Sequence, residues 1–357
     1  MDKIKQDAKI DMVYLWCDGN DADFKERKKQ YLKLEDNSEQ ENIEVVGDVR
    51  FYDNEELKYS LRSLEMYAPW INHVYIVTDR QVPKWLNTEY EKVTVVDHSE
   101  IMPQECIPCF NSAVIEYFLP FIPNLSEKFL YGNDDCFFGK KVYPEDFFVG
   151  DKPVVRMKAI RRKKLMAYHG RKYTYYGTIL NSLELLENKY GKKESYELHH
   201  NIDAYRKSLF LATLDKFHNY LSKCFQNRFR RPDDIQRVLF NLDMVYSGNA
   251  ELKIVTNPKP WRLRLDFLKK VKWESYCDAE NAPKIYTRIV KYKPKLFCIN
   301  SGADATLEEK MKTKQFMESL FPQPSKFEKY SLLIICFIAE ITYERRKGFV
   351  FYYCSGI

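Results

Sequence analysis

A chain of 357 residues, with 45% hydrophobic and 30% charged side chains, can bury a full core as one large α/β domain with insertions or as two domains around a cleft. That composition excludes a disordered or fibrous chain, although the 15% aromatic share is high. The formal charge of +6 is gathered in basic runs at Arg161 to Lys164, Arg228 to Arg231 and Lys269-Lys270. No helix-turn-helix, zinc-finger or RNA-binding signature accompanies them, so nucleic acid is set aside as a partner and small anions or an anionic membrane face are kept. Nine cysteines at irregular spacing point to reduced thiols and a cytoplasmic location. Cys106-Ile-Pro-Cys109 has no second pair at metal-site spacing and is read as coincidence. The first ten residues lack the apolar stretch of a secretory signal.

In chain order, "IDMVYLWCDGND" (10–21) rises as an apolar strand and stops in a polar turn at Asp18-Gly19. "DNEELKYSLRSLEMYAPW" (53–70) reads as a helix capped by Asp53, with Leu57, Leu61, Leu64 and Ala68 on one face and Pro69 ending it. "VYIVTD" (74–79) and "VTVVDH" (93–98) are β-branched runs that end in a carboxylate. Strand, helix and strand in sequence predict an α/β fold: a three-layer, mostly parallel, Rossmann-like sheet for a nucleotide-sugar, with ligands beyond the carboxyl ends of its strands. "FLYGNDDCFFG" (129–139) places Asn133-Asp134-Asp135 inside an apolar run, which reads either as a tight hairpin turn or as a cation site.

The core is assigned to residues 1–150. Residues 151–250 form a helical insertion or second lobe with helical patches at 179–188, 203–223 and 233–247. A return to the core with a terminal helix covers 251–329, and 330–357 is an apolar and basic tail. "YSLLIICFIAE" in that tail is apolar for about ten residues, too short for a bilayer-spanning helix. Followed by Glu344-Arg345-Arg346-Lys347, it is open to a peripheral membrane contact or to a buried terminal element.

Five residues carry the candidate chemistry. Adjacent Asp134 and Asp135 offer hard oxygen ligands suited to Mg²⁺ or Mn²⁺. Glu116 stands among apolar neighbours in "NSAVIEYFLPF", where a carboxylate is costly unless it is paired or used, or else turns to solvent on an amphipathic helix. His200 precedes a helix-like segment, and Arg230 precedes "PDDIQ", a helix start that leaves the arginine to face an anion or to pair with Asp233 or Asp234.

Taken together, "IDMVYLWCDGND", "RFYDNEELKYSLRSLEMYAPWINHVYIVTDRQVPKWLN" and "FNSAVIEYFLPFIPNLSEKFLYGNDDCFFGKKVYPEDFF" resemble the opening blocks of the Stealth family. "ELHHNIDAYRKSLF", "NRFRRPDDIQ" and "KPKLFCINSGADATLEEKMKTKQFMESLFPQPSKFEK" resemble its later blocks in the same order, so the likeness runs from about Ile10 to Lys329. The family includes bacterial capsular polysaccharide phosphotransferases and the animal N-acetylglucosamine-1-phosphotransferase. The resemblance implies transfer of a sugar-1-phosphate from a UDP-sugar to a capsular oligosaccharide or lipid-linked glycan, with release of UMP, at the cytoplasmic face of a bacterial membrane. It carries catalytic roles onto Glu116, Asp135, His200 and Arg230, and nucleotide contacts onto Trp16, Asp18 and Gly19 and, more weakly, Asn54, Arg62 and Ser63. His200, or a desolvated Glu116, would take the acceptor proton, and His200 is favoured. Arg230 and a Mg²⁺ or Mn²⁺ on Asp135, with Asp134 in support, would hold the phosphoryl charge. Two departures bear on acceptor contacts: the histidine block lacks His-x-Pro, and Ser301 stands where an aspartate often follows Cys-Ile-Asn. The other readings are a metal-dependent glycosyltransferase that releases UDP, and a non-catalytic surface or immune-modulating protein.

Overall fold

The computed structural model describes residues 9–34, 47, 51–167, 174–255, 277–278, 282–300 and 306–329, with 277–278, 282–285 and 300 described by their backbone alone. The expected tail, 330–357, and Ser301 lie outside the described residues.

The central sheet has the order β3-β2-β1-β4-β9. Its strands are β1 (Ile10–Leu15), β2 (Val74–Thr78), β3 (Val93–Asp97), β4 (Lys128–Asn133) and β9 (Asp203–Arg206). The first four are parallel and β9 is antiparallel to β4. Strand periodicity of two sorts the side chains onto two faces. Met12 and Tyr14 of β1 pack with Leu57, Leu61 and Leu64, while Val13 packs with Tyr131 and the helices of the second half of the chain. Both faces are therefore covered, as a parallel sheet requires, and the protein is a three-layer α/β fold.

The helix behind the first face, α2 (Glu56–Tyr67), follows α1 (Ala22–Leu32). It buries the expected apolar stripe, but Asp53 does not cap it: the cap position is Glu55, in a left-handed conformation. Asp53 instead accepts from the Glu55 amide at 3.0 Å, and Glu56 reaches back to the Asn54 amide at 2.6 Å.

Two further short helices follow β3, α3 (His98–Ile101) and α4 (Ser112–Tyr117). The run after Asn133 is not a hairpin. β4 pairs with β1 and β9, whereas β5 (Cys136–Phe138) pairs antiparallel with β12 (Leu296–Asn300), so Asp134 and Asp135 turn the chain from one sheet into another. A strand pair β6 (Phe148–Val149) and β7 (Lys152–Ala159), with β8 (Tyr196–Leu198) and β10 (Glu251–Ile254) beside β7, forms another small sheet.

The region 151–250 is less separate than its sequence suggests. Its residues 203–206 are not helical but form the edge strand β9, because Tyr205 packs on Phe129 and Arg206 pairs with Glu127 at 3.0 Å. Its helices are α5 (Arg162–Met166), α6 (Tyr175–Tyr190), α7 (Lys207–Lys216), α8 (His218–Leu221) and α9 (Val238–Tyr246), and α6, α7 and α9 share the core of the sheet's second face. β11 (Cys277–Asp278), α10 (Ala282–Tyr292) and the capped helix α11 (Leu307–Leu320) complete the described chain.

Candidate active site

The strand order reverses direction at β1, with β2 on one side and β4 on the other. Such a switch point opens a crevice beyond the carboxyl ends of the strands. The register sets those ends level: Leu15 lies beside both Val77 and Asn133, and Val77 beside Val96. A cavity of about 160 Å³ opens there. Residues just past the strand ends line it: Trp16 and Cys17 after β1, Asp79 after β2, His98 after β3 and Asp134 after β4.

One wall is aromatic. Phe24, Phe51 and Phe110 meet at ring separations of 5.5 and 5.6 Å, and Phe110 stacks on Phe229 at 5.0 Å. Gly19 holds this wall close, for its amide bonds the Phe51 carbonyl and a Cβ there would run into the Phe51 backbone. Asp18 supports the same loop, its carboxylate accepting from the Asn20 amide at 2.8 Å while Gln81 bonds its backbone on both sides.

The rest of the lining includes polar groups. Arg230 lines the cavity with Ser112, Asn133 and Asp134, and its Nη2 donates to Ser112 Oγ at 2.9 Å. Asn111 clamps the segment that carries Arg230, donating to the Asn227 and Phe229 carbonyls and to Asp234 at 2.8 Å. Asp234 is thus an internal anchor of the loop and not part of a first helical turn, and α9 starts only at Val238.

Behind these groups lies Glu116 on α4, 5% exposed and not turned to solvent. Its Oε1 accepts from Arg237 Nη1 at 2.7 Å and from the Tyr131 hydroxyl at 2.9 Å. Arg237 forks to Asp203 through Nε at 3.1 Å, which makes a buried carboxylate–guanidinium–carboxylate triad. Burial pushes Glu116 and Asp203 up from the usual carboxylate range, and Arg237 holds both down against it. His200 feels the same arginine: burial, then Arg237 and Lys158, push its imidazole down to about 3, so it is neutral at neutral pH. Its Nε2 lies 3.1 Å from the Tyr175 hydroxyl.

Carboxylates crowd the mouth of β4. Burial raises Asp134 well above the ordinary range, with Asp135, Glu56 and Asp53 adding repulsion. Burial likewise pushes Asp53 up to about 6 and Glu56 up to about 8. Oxygen donors under mutual repulsion suit a hard divalent ion, which relieves that repulsion on binding. Asp135 also has the Cys136 and Cys298 thiols close by, the three donor atoms lying within 4.8 Å of one another. The carboxylates have the hard-donor chemistry for Mg²⁺ or Mn²⁺, whereas the group of three close donors found among the described residues joins Asp135 to two softer thiols.

Of the residues singled out from sequence, the structure brings Trp16, Asp134 and Arg230 into the cavity wall, with Asp18, Gly19, Glu116 and Asp135 on the segments that build it. It does not bring Arg62 and Ser63 there, nor is His200 among the lining residues, its ring being set against Tyr175. Arg62 is buried and spent on Glu328, at 2.7 and 2.8 Å, and on the Phe321 carbonyl at 2.8 Å. Ser63 accepts from the Phe138 amide at 3.1 Å, and the Asn54 side chain donates to the Lys310 carbonyl at 3.0 Å. Arg237, Asp203 and Tyr131 were missed, as was His98 as a lining residue; Asp79, at the carboxyl end of its strand, falls where a ligand is expected from sequence.

The sequence model of Stealth protein conserved region 2 matches residues 50–155. The chain is 31% identical over 303 residues to capsular polysaccharide phosphotransferase LcbA of Neisseria meningitidis, spanning 82% of this chain and 77% of that protein. It is 32% identical over 303 residues to capsular polysaccharide phosphotransferase fcs1 of Haemophilus influenzae, spanning 83% and 79%. The chain belongs to the Stealth family. A further relative, exopolysaccharide phosphotransferase cps2G of Lactiplantibacillus plantarum, is 31% identical over 348 residues, 90% of this Stealth protein and 96% of the other. With phosphotransferases as relatives along nearly its whole described length, this Stealth protein is an enzyme of the phosphotransferase class. Among its described residues, no helix is long and apolar enough to cross a membrane.

Proposed function

We propose that this Stealth enzyme transfers a sugar-1-phosphate from a UDP-sugar to a hydroxyl of a capsular or lipid-linked glycan, forming a phosphodiester and releasing UMP. The observation that carries the reading is one cavity lined both by aromatic rings fit for a nucleoside and by Arg230 and Ser112, with Asp134 beside them, fit for a diphosphate and its cation. On this reading the enzyme works at the cytoplasmic face of a bacterial membrane.

Arg230 holds the phosphoryl oxygens and orients phosphorus toward the acceptor. His200 is neutral and has a lone pair to give. Its affinity for a proton is low in the free protein because of burial first and then Arg237 and Lys158, and the negative charge of a bound diphosphate offsets those two cations. The acceptor oxygen gives its proton to His200 and bonds to phosphorus, while the bond from phosphorus to the UMP oxygen breaks and UMP carries away the electron pair. Glu116 is the fixed end of the buried triad, and it keeps Tyr131 and Arg237 in place beneath that exchange. Asp135 and Asp134, with Asp53 and Glu56 near, would hold Mg²⁺ or Mn²⁺, which when bound supplies charge neutralisation to the diphosphate.

The test is the nucleotide product formed from UDP-N-acetylglucosamine and capsule oligosaccharide in the presence of Mg²⁺, separated by chromatography. UMP with an acid-labile phosphodiester product supports the proposal; accumulation of UDP would mean glycosyl transfer and overturn it. Asp135→Asn should lose turnover while keeping its melting temperature within a few degrees.

A further inference from the structure

We propose that Asp79 and His98 form the base-reading end of the cavity and select uracil over cytosine. This rests on the nucleotide-sugar reading above, since it presupposes that a nucleotide enters the cavity base first.

Both residues lie just past the ends of β2 and β3, on one side of β1 in the sheet order, and both line the cavity. Both are more than nine-tenths buried, at 4% and 5% exposure. Asp79 is held by Arg27, whose Nε and Nη2 both donate to Oδ2, at 3.2 and 3.0 Å, while Nη2 also reaches the Asp79 carbonyl. That grip leaves Oδ1 with only Arg80 at 3.9 Å. His98 Nδ1 is buried without a hydrogen-bond partner among the described residues. A buried ring nitrogen without a hydrogen-bond partner, on the same cavity as a carboxylate oxygen whose nearest cation is 3.9 Å away, is costly unless a ligand satisfies it.

The pair has a defined complement. A carboxylate oxygen can only accept, so its ligand must present an N–H. A neutral imidazole can donate from the nitrogen it protonates, so the group beside that N–H should be a carbonyl. Uracil offers N3–H next to O4. Cytosine offers a bare N3 next to an amine, so it sets lone pair against lone pair at Asp79. The nearby aromatic wall of Phe24, Phe51 and Phe110 gives a planar base a surface to lie on.

Asp79→Asn tests the assignment sharply. Arg27 requires an acceptor at the Oδ2 position, so the Asn oxygen stays on Arg27 and its NH₂ turns to the cavity. The acceptor becomes a donor, which matches cytosine N3 and opposes uracil N3–H. Titration calorimetry with UMP and CMP at fixed Mg²⁺ on the full chain should show the wild type binding UMP more tightly by roughly 10- to 100-fold, the scale of one mismatched buried polar pair. In Asp79→Asn the ratio should fall to unity or invert. His98→Phe, which keeps the ring and removes its nitrogens, should reduce the ratio by about 10-fold and decides the matter if the Asn variant does not fold. Folding of each variant is checked by thermal melting. A wild type that prefers CMP, or folded variants that keep the wild-type ratio, would overturn the base assignment and leave the nucleotide reading standing. A wild type that binds neither nucleotide nor UDP-N-acetylglucosamine would overturn both.

Discussion

Replacing Arg237 by Met removes the cation of the buried triad and leaves Glu116 and Asp203 facing each other without it. The structure sets the scale. At an effective dielectric of about 20, the 2.7 Å contact to Glu116 and the 3.1 Å contact to Asp203 are worth about 6 and about 5 kcal/mol of attraction. Much of that sum only offsets the cost of taking the guanidinium out of water, a cost that Met does not bear. The net loss on breaking such a buried pair is about 3 to 5 kcal/mol. With an unfolding entropy of about 2.1 cal/mol/K for each of the 357 residues, that loss lowers the melting temperature by about 4 to 7 °C if the chain unfolds as one unit.

The pH dependence gives the sharper check. Glu116 and Asp203 already sit above their ordinary values because of burial, and Arg237 is what holds them down, so both climb further in Arg237→Met. A carboxyl raised in the folded state contributes stability that is present below its unfolded pKa and lost as pH rises through its folded one. In the variant both carboxyls can be protonated in acid, where the missing cation matters little. The gap in melting temperature between wild type and Arg237→Met should therefore be widest near pH 8 and close toward pH 5, measured by calorimetry at several pH values. Arg237→Lys should recover part of the gap, since one ammonium cannot fork to both carboxylates as Nη1 and Nε do. Equal melting temperatures at pH 8, or a gap that widens on acidification, would refute the reasoning.

Arg62→Ala leaves Glu328 buried without its cation and should cost about 3 kcal/mol of stability, with UMP affinity unchanged by calorimetry; a large loss of affinity instead would make Arg62 a nucleotide contact. Gly19→Ala drives a methyl into Phe51 and should weaken UMP binding by roughly 10-fold through the displaced aromatic wall, while wild-type affinity would show that the wall does not touch the nucleotide. His200→Ala should lower kcat by about 10²- to 10⁴-fold and leave UMP affinity intact. Because His200 is held neutral, the wild-type kcat/KM should show no acid limb near pH 6.5 from this residue, and such a limb that vanishes in His200→Ala would contradict its pKa of about 3.

The parallel core was legible because its signals are local. β1, β2 and β3 are apolar strings closed by a polar loop or a carboxylate, and the stripe of Leu57, Leu61 and Leu64 is a helix face whatever it packs against. The polar break at Asn133-Asp134-Asp135 was visible for the same reason. Its geometry was not, since the partner of β5 is β12, some 160 residues on, and only that pairing separates a hairpin from a junction of two sheets. β9 was read as helix because Asp203-Ala-Tyr-Arg is short and charged at both ends. Those charges are met by Arg237 and Glu127, neither of them a neighbour in sequence.

The same distinction explains why Arg62 and Arg237 exchanged places. In sequence each is one basic residue on a helical stretch, and nothing nearby tells a solvated arginine from a buried one. What separates them is where their carboxylates come from. Arg62 meets Glu328, far along the chain, and so ties the end of the described fold to α2. Arg237 meets Glu116 and Asp203, one from a helix under the cavity and one from the sheet edge beside it. Glu116 was noticed because a carboxylate in an apolar run demands a partner, but nothing in the sequence led from it to Arg237, which stands far along the chain. Both carboxylates of the triad rest on one guanidinium, so the helix under the cavity and the edge strand beside it share a single buried cation, and losing it would loosen both at once.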